Sequence, residues 1–563
     1  MSDNLNLSLF DEAEYEERAD YIAKEDLISW TATSKHFDNI QKKLIQIGAK
    51  LIVGPRGTGK THQMRCAYFS CKNNSSRPLP LYVSFNHYLR LETYLHENSN
   101  AIDIFHAWVL AKIVIGCAEE YNVFIDDLCF DLPFLKKFIL DIEKQKYSEI
   151  YSVVLSELNI SVVQSLIEKA IDKNDRKRAV IFLDDAALTF TNDYMIEFFD
   201  IFRSLKTIKI SPKASVYPGT TQYGPRFHVG QDAERVDIWM NVEDQDYLQF
   251  MDAIVSTRFG KSLDIDKDIR ELLMYAAFGI PRSYIMYLRS YIDSDRKGQQ
   301  SKFNSIISEK CTNIMNEYRS IAQKMPQYNK IINIGDELIS EIVKTIKAFN
   351  HKKIDESIID FKKNIVIGID DVDTKAERMI KFLIEAGILY AQDDVSHGTE
   401  RKLRRFTPHL ALLIKERALT KSKGFNASGL LSILKGPSEK HPVRKKFDRL
   451  LSRDKIDNIS LDLPPCSNCD TPRITEGQRY CHICGTPLLE SSTFKNCMST
   501  KLTDLPLTDF QKRVVEKTKY LTIEDVLSSD NTAAELRKVK GVGDKYSAKI
   551  VRKINEWTNE FLY

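Results

Sequence analysis

The chain has 563 residues, with 81 Lys and Arg against 78 Asp and Glu, and 43% of it is hydrophobic. That length is past the roughly 250–300 residues at which one core stops growing, so several domains are expected, and the composition excludes a mostly disordered chain. No run of about 18 uncharged apolar residues occurs, which predicts no membrane-spanning helix and no membrane partner; the acidic start, Met1 to Arg18, lacks the basic-then-apolar pattern of a secretory leader.

Of ten cysteines, four fall in one metal-type cluster, and Cys66, Cys71, Cys117, Cys129, Cys311 and Cys497 are scattered. This usage fits a reducing compartment, so a cytoplasmic protein is expected. Charge is uneven. Between Arg401 and Lys455 there are 16 Lys and Arg against 4 Asp and Glu, a local balance of +12, while the whole chain carries only +3. Such a concentration suits a polyanion, although a linker kept soluble by charge would look the same.

In chain order, residues 1–36 read as an acidic N-terminal arm. A helical pattern from Phe37 runs into Ala49 to Val53, a short β-branched run ended by Gly54 that predicts a buried parallel strand. A second strand is expected over Leu81 to Phe85, and amphipathic helices over 101–175 (Ile104, Trp108, Ala111, Ile115). A third strand, Ala179 to Leu183, ends in Asp184-Asp185. A helix follows (Met195, Phe198, Phe199, Phe202), then a strand at Ala214 to Tyr217 and another at Ile238-Trp239. Strands alternating with helices predict an α/β fold, with a parallel sheet covered on both faces and ligands at the strands' carboxyl ends.

Gly54, Pro55, Arg56, Gly57, Thr58, Gly59, Lys60 and Thr61 spell G-x-x-x-x-G-K-[ST] between a strand and a helix. Glycines let backbone N–H groups close around phosphates, and the helix N-terminus adds positive potential. Lys60 is expected to reach the β- and γ-phosphates of ATP and Thr61 to offer its hydroxyl to Mg²⁺, with Asp184 as the metal's second partner. Asp185 stands where many such enzymes carry Glu to orient the attacking water; one methylene shorter, it predicts slow hydrolysis. Thr220 and Thr221 follow the fourth strand and suit either γ-phosphate contact or a plain turn. Arg282, in Gly279-Ile280-Pro281-Arg282, suits a swing onto the γ-phosphate or a surface position.

The order of Gly54 to Thr61, Asp184-Asp185, Thr220-Thr221 and Gly279-x-Pro281-Arg282 resembles AAA+ ATPases, in particular the origin-recognition, replication-initiator clade, over roughly 40–410. The resemblance implies a multidomain α/β protein. A P-loop AAA+ parallel sheet (37–245) would carry a helical lid (246–330) and a winged-helix domain (331–412). Thr221 and Arg282 would act as sensors beside Asp184 and Asp185. It also implies a homo-oligomer whose site is completed by a neighbour's arginine, for which Arg226 and Arg235 lie in the right stretch. Asp185 in place of Glu departs from the pattern and also fits STAND-type signalling ATPases.

Downstream, a helix from Lys375 to Ala386, then Gly387 and two strands turning through Asp393 to Thr399, resembles a winged helix–turn–helix. Arg401, Lys402, Arg404 and Arg405 on or beside the wing would meet DNA phosphates, or the wing would dock a protein. A basic linker is expected over 413–460. Cys466-x-x-Cys469 and Cys481-x-x-Cys484, eleven residues apart, form two knuckles that predict a structural Zn²⁺ ribbon over 461–490, with a redox dithiol pair as the alternative. Over 505–563, Lys540-Gly541-Val542-Gly543 before Asp544 to Ile550 resembles a helix-hairpin-helix, with Gly541 and Gly543 at a phosphate and Lys540, Lys545 and Lys549 around it.

The function expected is an ATP-dependent ATPase acting on or assembling at DNA, as an initiator, loader or motor component. The alternatives are an ATP-switched, oligomerising signalling ATPase of anti-phage defence, or an adaptor whose tail docks a partner protein. No nuclease, protease or deaminase motif stands out, so any cutting would fall to a separate effector subunit.

Overall fold

The computed structural model describes residues 22–562, except 86–87, 124–127, 186–191, 260–264, 357–360, 398–400, 422–425, 476–477, 479, 489–492, 506 and 530. Most of the expected N-terminal arm therefore lies outside the described residues. What is described of it begins with helix α1 (Lys24–Ser29), followed by α2 (Lys35–Ile45), which starts where the Ser34 hydroxyl accepts the Phe37 N–H at 3.1 Å.

The first layer is a five-stranded parallel sheet of β1 (Lys50–Val53), β2 (Leu79–Ser84), β3 (Ala179–Asp184), β4 (Ile210–Val216) and β5 (Glu234–Asp237), in the order β2-β3-β4-β1-β5. The last strand lies just before the expected Ile238-Trp239. Register puts Ser84 opposite Asp184, and Val53 opposite both Val216 and Asp237, so the carboxyl ends of the strands share one edge. β1, β3 and β4 are buried throughout, as strands covered on both faces must be. Helix α3 (Lys60–Lys72) follows β1. A helical insertion between β2 and β3 contains α4 (Glu92–Glu97), α5 (Ala101–Tyr121), α6 (Leu132–Glu143) and α7 (Ile160–Lys173), and α8 (Asn192–Leu205) follows β3. By length and composition α5 could cross a membrane, but Trp108, Leu110 and Ile113 on it are fully buried inside the protein, where it packs on β2, α6, α7 and α8.

The second unit begins with helices α9 (Tyr247–Phe259), α10 (Lys267–Ala276), α11 (Pro281–Ile292) and α12 (Gln299–Lys324), then α13 (Asn329–Glu356). A four-stranded sheet follows: β6 (Ile367–Asp370), helix α14 (Glu377–Glu385), then the hairpin β7 (Leu389–His397) and β8 (Arg401–Pro408). This strand–helix–hairpin lies where the wing was expected, with β6 as an additional strand. Residues 413–460 are folded rather than a linker. Their described residues hold the second half of α15 (Leu410–Lys415), all of α16 (Ala427–Lys435), and β9 (Val443–Lys446), which pairs parallel to β6 and completes the order β7-β8-β6-β9. Buried residues from Trp239 to Ile459 form one core, so lid, wing and the basic stretch share it.

The chain then turns back. Five helices, α17 (Thr493–Met498), α18 (Asp509–Val515), α19 (Ile523–Leu527), α20 (Thr532–Arg537) and α21 (Asp544–Leu562), bury Cys497, Leu502, Ile523 and Ile550 in the same core as the parallel sheet. Helix α17 packs on α4 and the turn before it, and the Phe494 N–H donates to the Glu92 carboxylate at 2.9 Å.

Candidate functional site

The loop from Gly54 to Gly59 joins β1 to α3, and its glycines are required by geometry. A Cβ on Gly54 would fall 2.5 Å from Thr58 Oγ1, while Gly59, the residue before α3, has φ +90°. Thr58 is buried and its hydroxyl donates to Pro55 O at 2.8 Å, which holds the loop as a closed cradle. Thr61 is the second residue of α3. Lys60 Nζ donates to Gly54 O at 2.6 Å and Pro55 O at 3.2 Å and lies 4.1 Å from the Tyr217 ring centre. Arg56 reaches toward Glu317, at 3.8 Å.

Burial pulls the Lys60 ammonium down to about 7, against the opposing pull of Asp184 and Asp185. Anionic phosphates raise that value again. Between pH 7 and the raised value the free site holds a neutral amine and the loaded site an ammonium, so loading takes up a proton. Phosphate affinity is therefore expected to be highest below pH 7 and to fall by up to ~10-fold per pH unit above it. Calorimetry at pH 8 in two buffers of different ionisation heat checks this through the uptake of one proton.

Asp184 ends β3 and Asp185 follows it, beside this loop. The Tyr82 hydroxyl donates to Asp184 Oδ2 at 2.6 Å, and the Ser84 hydroxyl to Asp185 Oδ2 at 3.2 Å. Asp185 is held in the left-handed region at φ +53°, its N–H donating to Ser215 Oγ at 2.9 Å. Neither Tyr82, Ser84 nor Ser215 was singled out from the sequence; each is the polar residue at or near a strand end, where the parallel register brings it to the acidic pair. The two threonines after β4 differ. Thr221 donates its hydroxyl to Tyr217 O at 2.8 Å, whereas the buried Thr220 hydroxyl has no hydrogen-bond partner among the described residues. Arg282, the second residue of α11, sits against the loop: its N–H donates to Gly57 O at 3.3 Å, and a Cβ on Gly57 would approach Arg282 Cβ to 3.1 Å. Of the two arginines considered for a neighbour's site, Arg235 is bonded twice to Asp237, at 2.8 and 2.9 Å. Arg226 is 73% exposed with Asp200 3.5 Å away.

A phosphate loop on β1, the acidic pair at the end of β3, and β4 inserted between those two strands define the P-loop AAA+ α/β fold. No family profile matches the chain, and no curated protein matches it in sequence. Among solved structures it is similar to the Walker-type ATPase Paby2304 of Pyrococcus abyssi (11% identity, 69% of this chain and 96% of that one, TM-score 0.38). It is also similar to the Aeropyrum pernix Orc1 protein in complex with DNA (14% identity, 70% and 94%, TM-score 0.30). The fold assignment rests on strand order and loop, not on these superpositions.

A second constellation lies in the tail. The sulfurs of Cys466, Cys469, Cys481 and Cys484 all lie within 4.8 Å of one another. Each knuckle is closed by backbone bonds, Cys466 N–H to Thr471 O at 3.0 Å and Cys481 N–H to Thr486 O at 2.8 Å. Hydrogen bonds from Thr486 hold the Cys484 thiol below its ordinary range. Four converging thiols of this kind fit one tetrahedral Zn²⁺ with no open position.

The wing's basic residues are partly engaged. Arg404 pairs with Glu377 of α14 at 2.6 Å and Arg405 Nε donates to Asp393 O at 2.8 Å, while Lys402 is exposed. Arg401 belongs to β8, but its side chain lies outside the described residues. At the hairpin between α20 and α21, Gly541 has φ +91°, and both it and Gly543 have open space where a Cβ would stand; Lys540, Lys545 and Lys549 are exposed there. Asp544, the first residue of α21, pairs with Arg537.

Proposed function

We propose that the protein is an ATP-dependent AAA+ ATPase that acts on or assembles at DNA. The observation that carries the ATPase reading is the convergence of Lys60, Asp184, Asp185, Thr220 and Arg282 at one end of the sheet. Gly54 to Thr61 would hold ATP, and Thr61 and Asp184 would hold Mg²⁺, which supplies charge neutralisation at the phosphates when bound. Asp185 would orient the attacking water, and Thr220, with its uncommitted hydroxyl, suits the polar sensor better than Thr221. Asp185→Asn is expected to lower turnover ~10²–10³-fold with nucleotide affinity retained, measured by phosphate release beside calorimetry. Equal turnover in wild type and variant overturns this role. The exposed Arg226 suits a site completed in a cytoplasmic homo-oligomer.

The DNA reading is supported by the Gly541–Gly543 hairpin, which presents exposed backbone and three lysines to a phosphate. Contacts made to phosphates make binding weakly sequence-selective and salt-sensitive, log affinity falling with log salt at about −0.9 per phosphate contact. Replacing Gly541 and Gly543 with valine should weaken DNA binding ~10-fold or more and flatten that slope, with nucleotide affinity unchanged. Fluorescence anisotropy on duplex and single-stranded probes reads this. If the intact chain binds neither probe at low salt in any nucleotide state, the hairpin docks a protein and the adaptor reading replaces this one. One observation favours the signalling-switch reading: α14 of the wing unit meets the turn after β4 at Gly219, and Gly387 just beyond it meets Pro55 of the phosphate loop.

A further inference from the structure

Two aromatic rings stand out of the core beside the glycine hairpin. In α21 the apolar stripe that buries Ile550 and Ile554 runs back in steps of four to Tyr546, where it emerges from the core and the ring is 53% exposed. Helix α18 buries Gln511, Val514 and Val515 and leaves Phe510 outside, 42% exposed. The two rings meet edge to face, 5.6 Å between centres and 71° between planes. Each ring props the other. Such a pair spends one edge and one face on itself, so ring faces remain for a third partner.

The surroundings are basic. Side chains on a helix lean toward its N-terminus, so Tyr546 leans toward Gly543 and the turn. That turn is pinned by Val542, which is buried and donates its N–H to Val539 O at 3.1 Å, with Gly541 and Gly543 open on either side of it. From Arg537 to Lys553 there are seven Lys and Arg against one acidic residue, Asp544, which pairs with Arg537. Lys538 is drawn to Glu535 at 2.6 Å, while Lys545 and Lys549 flank Tyr546 and are exposed. Beside Phe510, Asp509 and Arg513 are both exposed and offset each other.

We propose that Phe510 and Tyr546 form a stacking platform that makes single-stranded DNA the preferred ligand of this hairpin. This rests on the reading of Gly541 to Gly543 as a DNA contact. A duplex keeps its bases stacked on one another and offers the hairpin its phosphates. A single strand offers the same phosphates together with bases whose faces are free. Stacking of a base on an aromatic ring tolerates any sequence, because every base has a π-face. Charge complementarity selects this occupant: a strand of DNA brings negative charge and flat apolar faces at once, which a basic surface carrying two exposed rings requires.

The test is fluorescence anisotropy of the full chain with a labelled oligothymidine and with a duplex of equal length, over several salt concentrations. Wild type is expected to bind the single strand ~10-fold or more tightly than the duplex. Phe510→Leu combined with Tyr546→Leu keeps apolar bulk and removes the aromatic faces. Single-strand affinity should then fall ~10–100-fold while duplex affinity stays. The substitutions should leave the salt slope unchanged, because stacking releases no counterions. Tyr546→Phe, which keeps the ring, should bind as wild type does. A wild type that binds both probes equally, or a double leucine variant that keeps the preference, overturns the proposal and leaves the DNA reading standing. A variant that weakens both probes equally does the same. If wild type binds neither probe, the DNA reading falls and the proposal falls with it.

Discussion

Lys60→Ala is expected to raise the dissociation constants for Mg·ADP and Mg·ATP ~100-fold or more, with the fold intact. The amine is held at the mouth of a cradle built from backbone, donating to Gly54 O and Pro55 O and stacked over Tyr217. It is the one lysine among the loop residues that can follow the phosphates into the pocket, and a charge-assisted hydrogen bond there contributes ~1.5–3 kcal/mol, more where water is excluded. Some 2.7 kcal/mol is a hundredfold. Stability should not fall, because burial already disfavours the ammonium: its depressed value near 7 means the folded state carries a charging penalty at neutral pH that alanine removes. Calorimetry of wild type and variant, with thermal melts of both, reads the two effects separately. Equal nucleotide affinity in the two proteins overturns the assignment of the loop.

Removing zinc should have the other large effect, and a local one. Among the described residues between the second core and α17, the buried ones that cluster are Cys466, Cys481 and Leu488. Three side chains are few to offset the ordering entropy of some twenty-five residues, and a bound zinc would supply folding energy on the order of 10 kcal/mol for a structural site. Elemental analysis of chelator-free protein should find one zinc per chain. Cys481→Ser should lose it and open 464–488 to protease, while nucleotide binding is kept, because the two large cores do not include that segment. Metal-free wild type that resists protease equally would overturn this.

How much of this was legible in the sequence differs by element. The strand, glycine loop and helix around Gly54 to Thr61 were, because a β-branched run ended by glycine and followed by a helical pattern marks such a turn locally. The strand ending at Asp184 was, because a β-branched apolar run stopped by two carboxylates reads as a buried strand reaching solvent. β6 and β9 were not. β6 is four residues long and contains a glycine, and β9 reads Val-Arg-Lys-Lys with only Val443 buried. Its membership in the sheet comes from backbone pairing to β6, more than seventy positions earlier, which leaves no periodic trace. The choice between Thr220 and Thr221 turned on which hydroxyl a nearby carbonyl would claim, a matter of turn geometry. The seating of α14 on the nucleotide loops and of α17 on α4 are long-range contacts between surfaces that each look ordinary alone.

That last contact bears on how the molecule is made. The Glu92 carboxylate waits for a backbone N–H that is 402 residues further along the chain. At a synthesis rate of ~5–20 residues per second, the apolar ground around Leu91 and Tyr94 stays bare for about 20–80 s after it leaves the ribosome. Throughout that interval the whole lid and wing must be threaded out and folded. The first domain begun is the last one finished, and a nascent chain stalled anywhere before Phe494 carries an exposed hydrophobic face. Quality control in the cell would read such a chain as incomplete, however well its nucleotide loop had formed.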